Sequence, residues 1–351
     1  MPSATSAPPF DIEPHWQDAF VDLFGMCKAH GGETVTILTE SLSRPLNVAL
    51  AVAALAEMNV PASRVNVPSK PPAHGMPVIR STGASTALTG EDKAVAQLQG
   101  SDLVIDMTVE GLMHAPETPS ILKAGARIMI ISNEHPDILA RLRPDPAMKN
   151  IVRDAVAACR AAAQMRVTSP SGTDLAVDMA GAATVGVWGW TDRPGTLAHW
   201  PGGLVVSFPR RASCNGRLVF APGDINLTFK RYFESEVCCT IKDDFITDIE
   251  GTGTDAQLMR RYLEGFDDQL AYATSHVGWG LNPAARYEAL TMYDKADLNG
   301  TELRALAGNF LYSTGANEFA DRFTEGHFDL PMMGCDITLD DLVMIRGGQP
   351  V

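Results

Sequence analysis

Residues Thr34–Val60 read TVTILTESLSRPLNVALAVAALAEMNV. The first seven form a short apolar run suited to a strand buried on both faces, and the remainder is an alanine- and leucine-rich helical stretch. Ser43 stands where it can cap that helix. Pro45 falls in its first turn, where a missing N–H costs nothing. The stretch is a βα unit.

The alternation continues downstream. RVNVP (Arg64–Pro68), SDLVIDMTV (Ser101–Val109) and RIMIIS (Arg127–Ser132) read as strands. DKAVAQLQG (Asp92–Gly100), APETPSILKAG (Ala115–Gly125), HPDILARL (His135–Leu142) and MKNIVRDAVAACRAAAQ (Met148–Gln164) read as helices. Such a series predicts an open parallel sheet with helices on both faces. No G-x-G-x-x-G follows these strands and no G-x-x-x-x-G-K-[ST] occurs, so nucleotide binding has no support. Upstream, Trp16, Phe20, Val21 and Phe24 mark an amphipathic helix from Glu13 to about His30, stopped by Gly31-Gly32. The first dozen residues, rich in Pro, Ser and Ala, read as a loose arm.

Past Met165 the texture changes to strand-like segments separated by Gly, Pro and Asp: Arg166–Gly181, Gly202–Arg211, Gly216–Phe229 and Ser235–Gly251. One helix, DAQLMRRYLEGFDD (Asp255–Asp268), follows them and precedes the segment holding His276. The expected organisation is an α/β N-terminal domain over residues 1–165 with an open parallel sheet. An α+β, mainly antiparallel C-terminal domain over residues 166–351 would carry the functional residues.

A formal net charge of -14, with no run of Lys or Arg, argues against nucleic acid and anionic membrane surfaces as partners. A small neutral or cationic molecule is easier to accommodate. MPSATSAPPFDIEPHW lacks the basic start and apolar core of a secretory signal, and no stretch approaches the length of a membrane span, so a cytoplasmic protein is expected. The six cysteines show no C-x-x-C spacing, which implies neither a zinc ribbon nor a disulfide framework. Cys238 and Cys239 are expected on opposite faces of one strand.

Chemistry concentrates in EGHFDLPMMGCDITLDD (Glu325–Asp341). In an extended strand His327 and Asp329 share a face while Phe328 and Leu330 turn away. A second histidine would complete two nitrogens and one oxygen on one side of a metal, the set that leaves positions open on non-haem Fe(II). The best candidate is His276, in SHVGWGLNP. On the H-x-D triplet alone, a solvated His and Asp on a strand face stays open as the alternative. Trp279, Phe310, Tyr312, Phe323 and Phe328 make the surroundings apolar, where polar groups need partners and a metal is one.

His114 follows a buried strand, at the end where open parallel sheets present functional groups, but a surface position at a helix start accounts for it equally. His199, in PGTLAHWPGG (Pro194–Gly203), reads as a loop residue beside Trp200, a setting that can hold an imidazole against a flat ring, although loops also contain uninvolved histidines. His135 is expected to cap or face solvent, and His15, His30 and His74 to lie on the surface. Ser275 precedes His276, but neighbours on a strand point apart, which is poor geometry for a Ser-His couple. No G-x-S-x-G elbow is present. KDDF and TLDD read as turns.

Together TSHVGWGLNP, GNFLYSTGAN and HFDLPMMGCDITLDD, with LAHWPGG and VEGLMHAPE, resemble the 2,5-dihydroxypyridine 5,6-dioxygenases, whose fold is similar to that of the M29 metallo-aminopeptidases. The resemblance implies an Fe(II) enzyme that opens a hydroxylated pyridine ring with O2, most directly 2,5-dihydroxypyridine to N-formylmaleamate. It implies His276, His327 and Asp329 as iron ligands and His199 as the base for a ring hydroxyl. His114 would stand near the ring or the oxygen, and the enzyme would be a homo-oligomer. Met332-Met333-Gly334 replaces the polar residues expected after H-x-D-x-P, which bears on the ring substituents. The rival is a two-metal hydrolase of the M29 type, yet GNFLYSTGAN offers no His or Glu for a second metal. A small-molecule binding protein on the same scaffold is a third reading.

Overall fold

The computed structural model describes residues 11–70 and 85–351. Most of the expected N-terminal arm, and His74, lie outside the described residues. The helices are α1 (Pro14–Met26), α2 (Pro45–Glu57), α3 (Asp92–Gln99), α4 (Thr118–Lys123), α5 (Pro136–Arg141), α6 (Pro146–Ala161), α7 (Thr254–Glu264), α8 (Ala289–Met292) and α9 (Thr301–Ala305). Strands β1 (Val35–Glu40), β2 (Ala62–Val67), β3 (Leu103–Asp106), β4 (Arg127–Ile131) and β8 (Leu197–Trp200) form a parallel sheet in the order β2-β1-β3-β4-β8.

The central strands β1, β3 and β4 are almost wholly buried and mostly apolar, with Thr36, Thr39, Asp106 and Arg127 among their buried polar residues, while the edge strand β2 is largely exposed. Ile37, Ile105, Met129 and Ile131 pack with Phe20, Leu50 and Ala54 of α1 and α2. Leu38, Val104, Ile128 and Ile130 pack on the other face with Leu98 of α3 and Ile121 of α4. Successive residues of one strand thus feed two cores.

The remaining strands are β5 (Gln164–Thr168), β6 (Asp174–Asp178), β7 (Ala183–Val187), β9 (Leu204–Phe208), β10 (Cys214–Phe220), β11 (Ile225–Asn226), β12 (Arg231–Tyr232), β13 (Val237–Lys242), β14 (Phe245–Glu250), β15 (Thr274–Gly280), β16 (Phe310–Asn317), β17 (Arg322–Met332), β18 (Asp336–Leu339), β19 (Leu342–Arg346) and β20 (Gln349–Pro350). They build an eight-stranded antiparallel sheet, β14-β13-β10-β6-β5-β18-β19-β20, and a five-stranded one, β17-β16-β15-β9-β7. Met165, Val167, Leu175 and Leu218 of the first share one core with Trp279, Phe310, Tyr312, Phe328 and Leu330 of the second, and with Met259 and Tyr262 of α7. The α/β and α+β architecture expected from the sequence is present.

Several local expectations change. Helix α1 ends at Met26, before the glycines, because Cys27 closes it and Lys28 turns the chain at φ 58°. Ser43 does not cap α2; its Oγ accepts from the Glu40 N–H at 2.8 Å, and Arg44 occupies the cap position. His199 is on a strand, β8, not in a loop. That strand joins the N-terminal sheet although it lies beyond residue 165, and three strands of the antiparallel region precede it. Trp200 does not offer its ring to His199. It faces the α1 core, 5.2 Å from Phe20, with its indole N–H donating to Leu142 O at 2.7 Å. Phe323 is 62% exposed and contributes nothing to the apolar surroundings.

Other expectations hold. Asp243, Asp244 and Asp340 take positive φ in hairpin turns, as KDDF and TLDD predicted. His135 caps α5, accepting from the Asp137 N–H at 3.2 Å. All six cysteines are free and buried. Among the described residues no helix is long and apolar enough to cross a membrane.

Candidate metal and catalytic site

The C-terminal ends of β3, β4 and β8 meet the face of the five-stranded sheet that carries His276, His327 and Asp329 around a cavity of about 150 Å³. His114, His199, His276, His327 and Asp329 all line it. Every site residue singled out from the sequence is therefore at one place.

His114 arrives on the segment after β3, which is tied down at several points. The buried Asp106 carboxylate accepts from Thr108 N (2.9 Å), Thr108 Oγ1 (2.7 Å) and Leu112 N (2.7 Å), while Glu40 Oε1 accepts from Val109 N at 2.6 Å. Burial outweighs these donors and pushes the Asp106 carboxyl up to about 6. Gly111 turns the segment at φ 74°, and a Cβ there would meet Ile130 Cγ2 at 2.9 Å, so the approach to β4 requires glycine. The His114 ring centroid lies 5.2 Å from that of His327 and 6.2 Å from that of His276.

His327 and Asp329 project from β17 on one face while Phe328 and Leu330 enter the core, as the two-residue period dictates. Tyr262 donates to His327 O at 2.8 Å and anchors the strand from behind. His327 Nε2 lies 3.3 Å, and His276 Nε2 3.7 Å, from the same oxygen, Asp329 Oδ1. Two donors on one small cation, each about 2.1 Å from it, sit roughly 3 to 3.5 Å apart; the His327 pair falls within that range and the His276 pair just outside it, and two imidazoles with one carboxylate are the donor chemistry a metal takes.

Protonation states agree with that fit. Burial holds His276 well below its ordinary value and lowers His327, against the opposing pull of Asp329, so both imidazoles are neutral. Burial alone would raise the Asp329 carboxyl, but the Arg304 guanidinium foremost opposes it, and the carboxyl is held well below the usual carboxylate range. A metal needs neutral imidazole and ionised carboxylate. His327 Nδ1 is buried and has no hydrogen-bond partner among the described residues. A second donor set overlaps the first: His114, His276 and His327 bring ligand-capable nitrogens within 4.8 Å of one another.

His199 faces the cavity from β8. Its Nδ1 lies 2.7 Å from Pro201 O, a group that only accepts, so Nδ1 carries the hydrogen and Nε2 keeps a lone pair. Burial pushes this imidazole down to about 4, with the Pro201 contact opposing.

Sequence reasoning missed the supporting residues. Arg304 of α9 donates through Nε to Asp329 Oδ2 at 2.6 Å, and Ser313 of β16 donates to Asp329 Oδ1. Buried Glu134, after β4, accepts from Asn299 N at 2.9 Å and Thr301 N at 2.7 Å, and so holds the start of α9. In TELRALAGN nothing marks Arg304 except a lone cation among apolar neighbours. Ser275 was set aside on strand geometry, yet its Oγ lies 3.0 Å from His276 Nδ1. Met332, Met333 and Gly334 do not line the cavity, and Met332 is core, so that departure does not touch the site.

A family model described as 2,5-dihydroxypyridine 5,6-dioxygenase matches residues 15–351. The 2,5-dihydroxypyridine 5,6-dioxygenase of Pseudomonas putida is 36% identical over 323 residues, 91% of each chain. The solved structure of 2,5-dihydroxypyridine dioxygenase from Pseudomonas putida KT2440 superposes with a TM-score of 0.90 at 34% identity, covering 96% of both chains. AmpT from Thermus thermophilus superposes with a TM-score of 0.65 at 14% identity, over 96% of this chain and 99% of that one. This last likeness speaks for the fold alone.

Proposed function

The chain belongs to the 2,5-dihydroxypyridine 5,6-dioxygenase family, and from that premise we propose that it opens 2,5-dihydroxypyridine with O2, dependent on Fe(II), to give N-formylmaleamate. Both oxygen atoms enter the product, and no further reductant is needed. The observation that carries the reading is the convergence of His276, His327 and Asp329 beside His199 and His114 on one cavity.

His276, His327 and Asp329 would hold the metal. Ferrous iron, when bound to two nitrogens and one oxygen, supplies open positions for O2 and a substrate oxygen side by side. His199 takes the ring hydroxyl proton at Nε2, since its Nδ1 is committed to Pro201 O. His114, with its ring 5.2 Å from that of His327, would serve as a second proton carrier. Leu204, Val206 and Phe208 wall the cavity and exclude water from the ring. Holding both reactants at one place removes most of the entropic cost of their meeting.

We further propose that the enzyme is cytoplasmic and a homo-oligomer; light scattering of the purified protein would test the oligomeric state, and cell fractionation the location. The hydrolase reading requires a second metal and no O2. Anaerobic loading with Fe(II), then an oxygen electrode with 2,5-dihydroxypyridine, separates the two: equimolar loss of O2 and substrate is expected. Turnover that persists without O2, or with zinc alone, would defeat the dioxygenase reading.

A further inference from the structure

We propose that Ser275 is a positioning residue that fixes the tautomer of His276, leaving Nε2 as the ligand atom; this rests on the reading of His276 as a metal ligand. Adjacent residues on a regular strand point to opposite faces. Here they do not, because the pairing of β15 with β16 shifts register between Thr274 and Val277. Ser275 and His276 fall in that irregularity, where the alternation of faces is broken. Ser275 Oγ thereby reaches His276 Nδ1 at 3.0 Å and, in the other direction, Ala316 O on β16.

The hydrogen count decides the tautomer. A serine hydroxyl has one hydrogen, and Ala316 O can only accept, so Oγ donates there and has only lone pairs for the imidazole. His276 Nδ1 must then be the donor. A neutral imidazole with hydrogen on Nδ1 is unprotonated at Nε2, the atom 3.7 Å from Asp329 Oδ1. Ser275 and His276 are both buried, so no solvent replaces this contact. Without it the hydrogen can move to Nε2, and binding a metal there would first require the tautomer to switch.

The test begins with metal-free protein labelled with 15N-histidine, with the His276 signals identified by their loss in His276→Gln. Native protein is expected to show a protonated Nδ1 and an unprotonated Nε2 at neutral pH. A protonated Nε2 would overturn the proposal whatever any variant does. Ser275→Ala is expected to show both tautomers and to bind Fe(II) roughly 10- to 100-fold more weakly in anaerobic competition with a chromophoric chelator. Ser275→Thr, which keeps the hydroxyl, is expected to restore both readouts. Native tautomer and native affinity in Ser275→Ala would sink the idea. The underlying ligand assignment fails separately, if His276→Ala binds Fe(II) as tightly as native protein. Should Ser275→Ala not fold, the native spectrum alone decides.

Discussion

Arg304 Nε lies 2.6 Å from Asp329 Oδ2, while both candidate ligand imidazoles are directed at the other oxygen, Oδ1. The carboxylate is thus divided between a fixed cation behind and the imidazole pair in front. Both partners are buried.

Removing one member of a buried ion pair strands the other, a loss of about 3–5 kcal/mol. Arg304→Met should lower the stability of the metal-free protein by that order in denaturant unfolding. It should also allow the Asp329 carboxyl to rise, so that Fe(II) is shed at a higher pH than from native enzyme. An unchanged unfolding midpoint would contradict the pairing.

His199 holds its hydrogen bond to Pro201 O away from the metal candidates. His199→Ala should therefore retain iron and slow turnover by roughly 10²- to 10⁴-fold, the range of lost general-base catalysis. Iron analysis and O2 uptake on the same sample check both halves. Native O2 consumption would remove the base assignment.

The same residue has a stability signature. Its imidazole is depressed to about 4 when folded, against an ordinary 6.5. Between those values the unfolded chain binds more protons, so native stability is lost as pH falls through the window and is full above it. The span corresponds to about 3 kcal/mol. Asp106 and Asp224, pushed up to about 6, and raised Glu134 act in the opposite sense. The readout is therefore the difference between native metal-free protein and His199→Gln, which should shrink from pH 6.5 to 4.

Two donor sets share His276 and His327, and a pair of variants separates them. If Asp329 is the third ligand, His114→Ala binds Fe(II) with near-native affinity but turns over slowly, and Asp329→Ala loses the metal. Equilibrium dialysis of the two variants gives the answer. The reverse pattern would establish the three-imidazole set.

Phe319 is 57% exposed, unusual for a large aromatic, and packs on Phe208 at 5.1 Å at the cavity wall. Phe319→Ala should raise KM about 2- to 10-fold with little change in kcat, the scale of one aromatic contact. A fall in kcat at constant KM would assign it elsewhere.

What the sequence made legible follows from period and burial. A strand covered on both faces lacks a regular polar alternation, so the apolar centres of TVTILTE and RIMIIS announce themselves. The two-residue period likewise put His327 and Asp329 together before any coordinates. LAHW did not read as a strand, being four residues with a histidine inside and Gly and Pro on either side, although it extends the parallel sheet. The shifted register of β15 leaves no trace in TSHVGWG, because a bulge depends on the partner strand as much as on its own residues. Arg304 was invisible for a similar reason: its meaning lies in a carboxylate 25 positions away.

Strand β8 makes the two halves inseparable in practice. It is encoded after three strands of the antiparallel region, yet sits at the edge of the first sheet and brings the imidazole meant to accept a proton. A cut at residue 165 would leave one fragment with an unfinished sheet margin and the other with an orphaned strand. The two halves could not be traded between relatives as interchangeable cassettes, and recombination would have to move β8 with the sheet it completes.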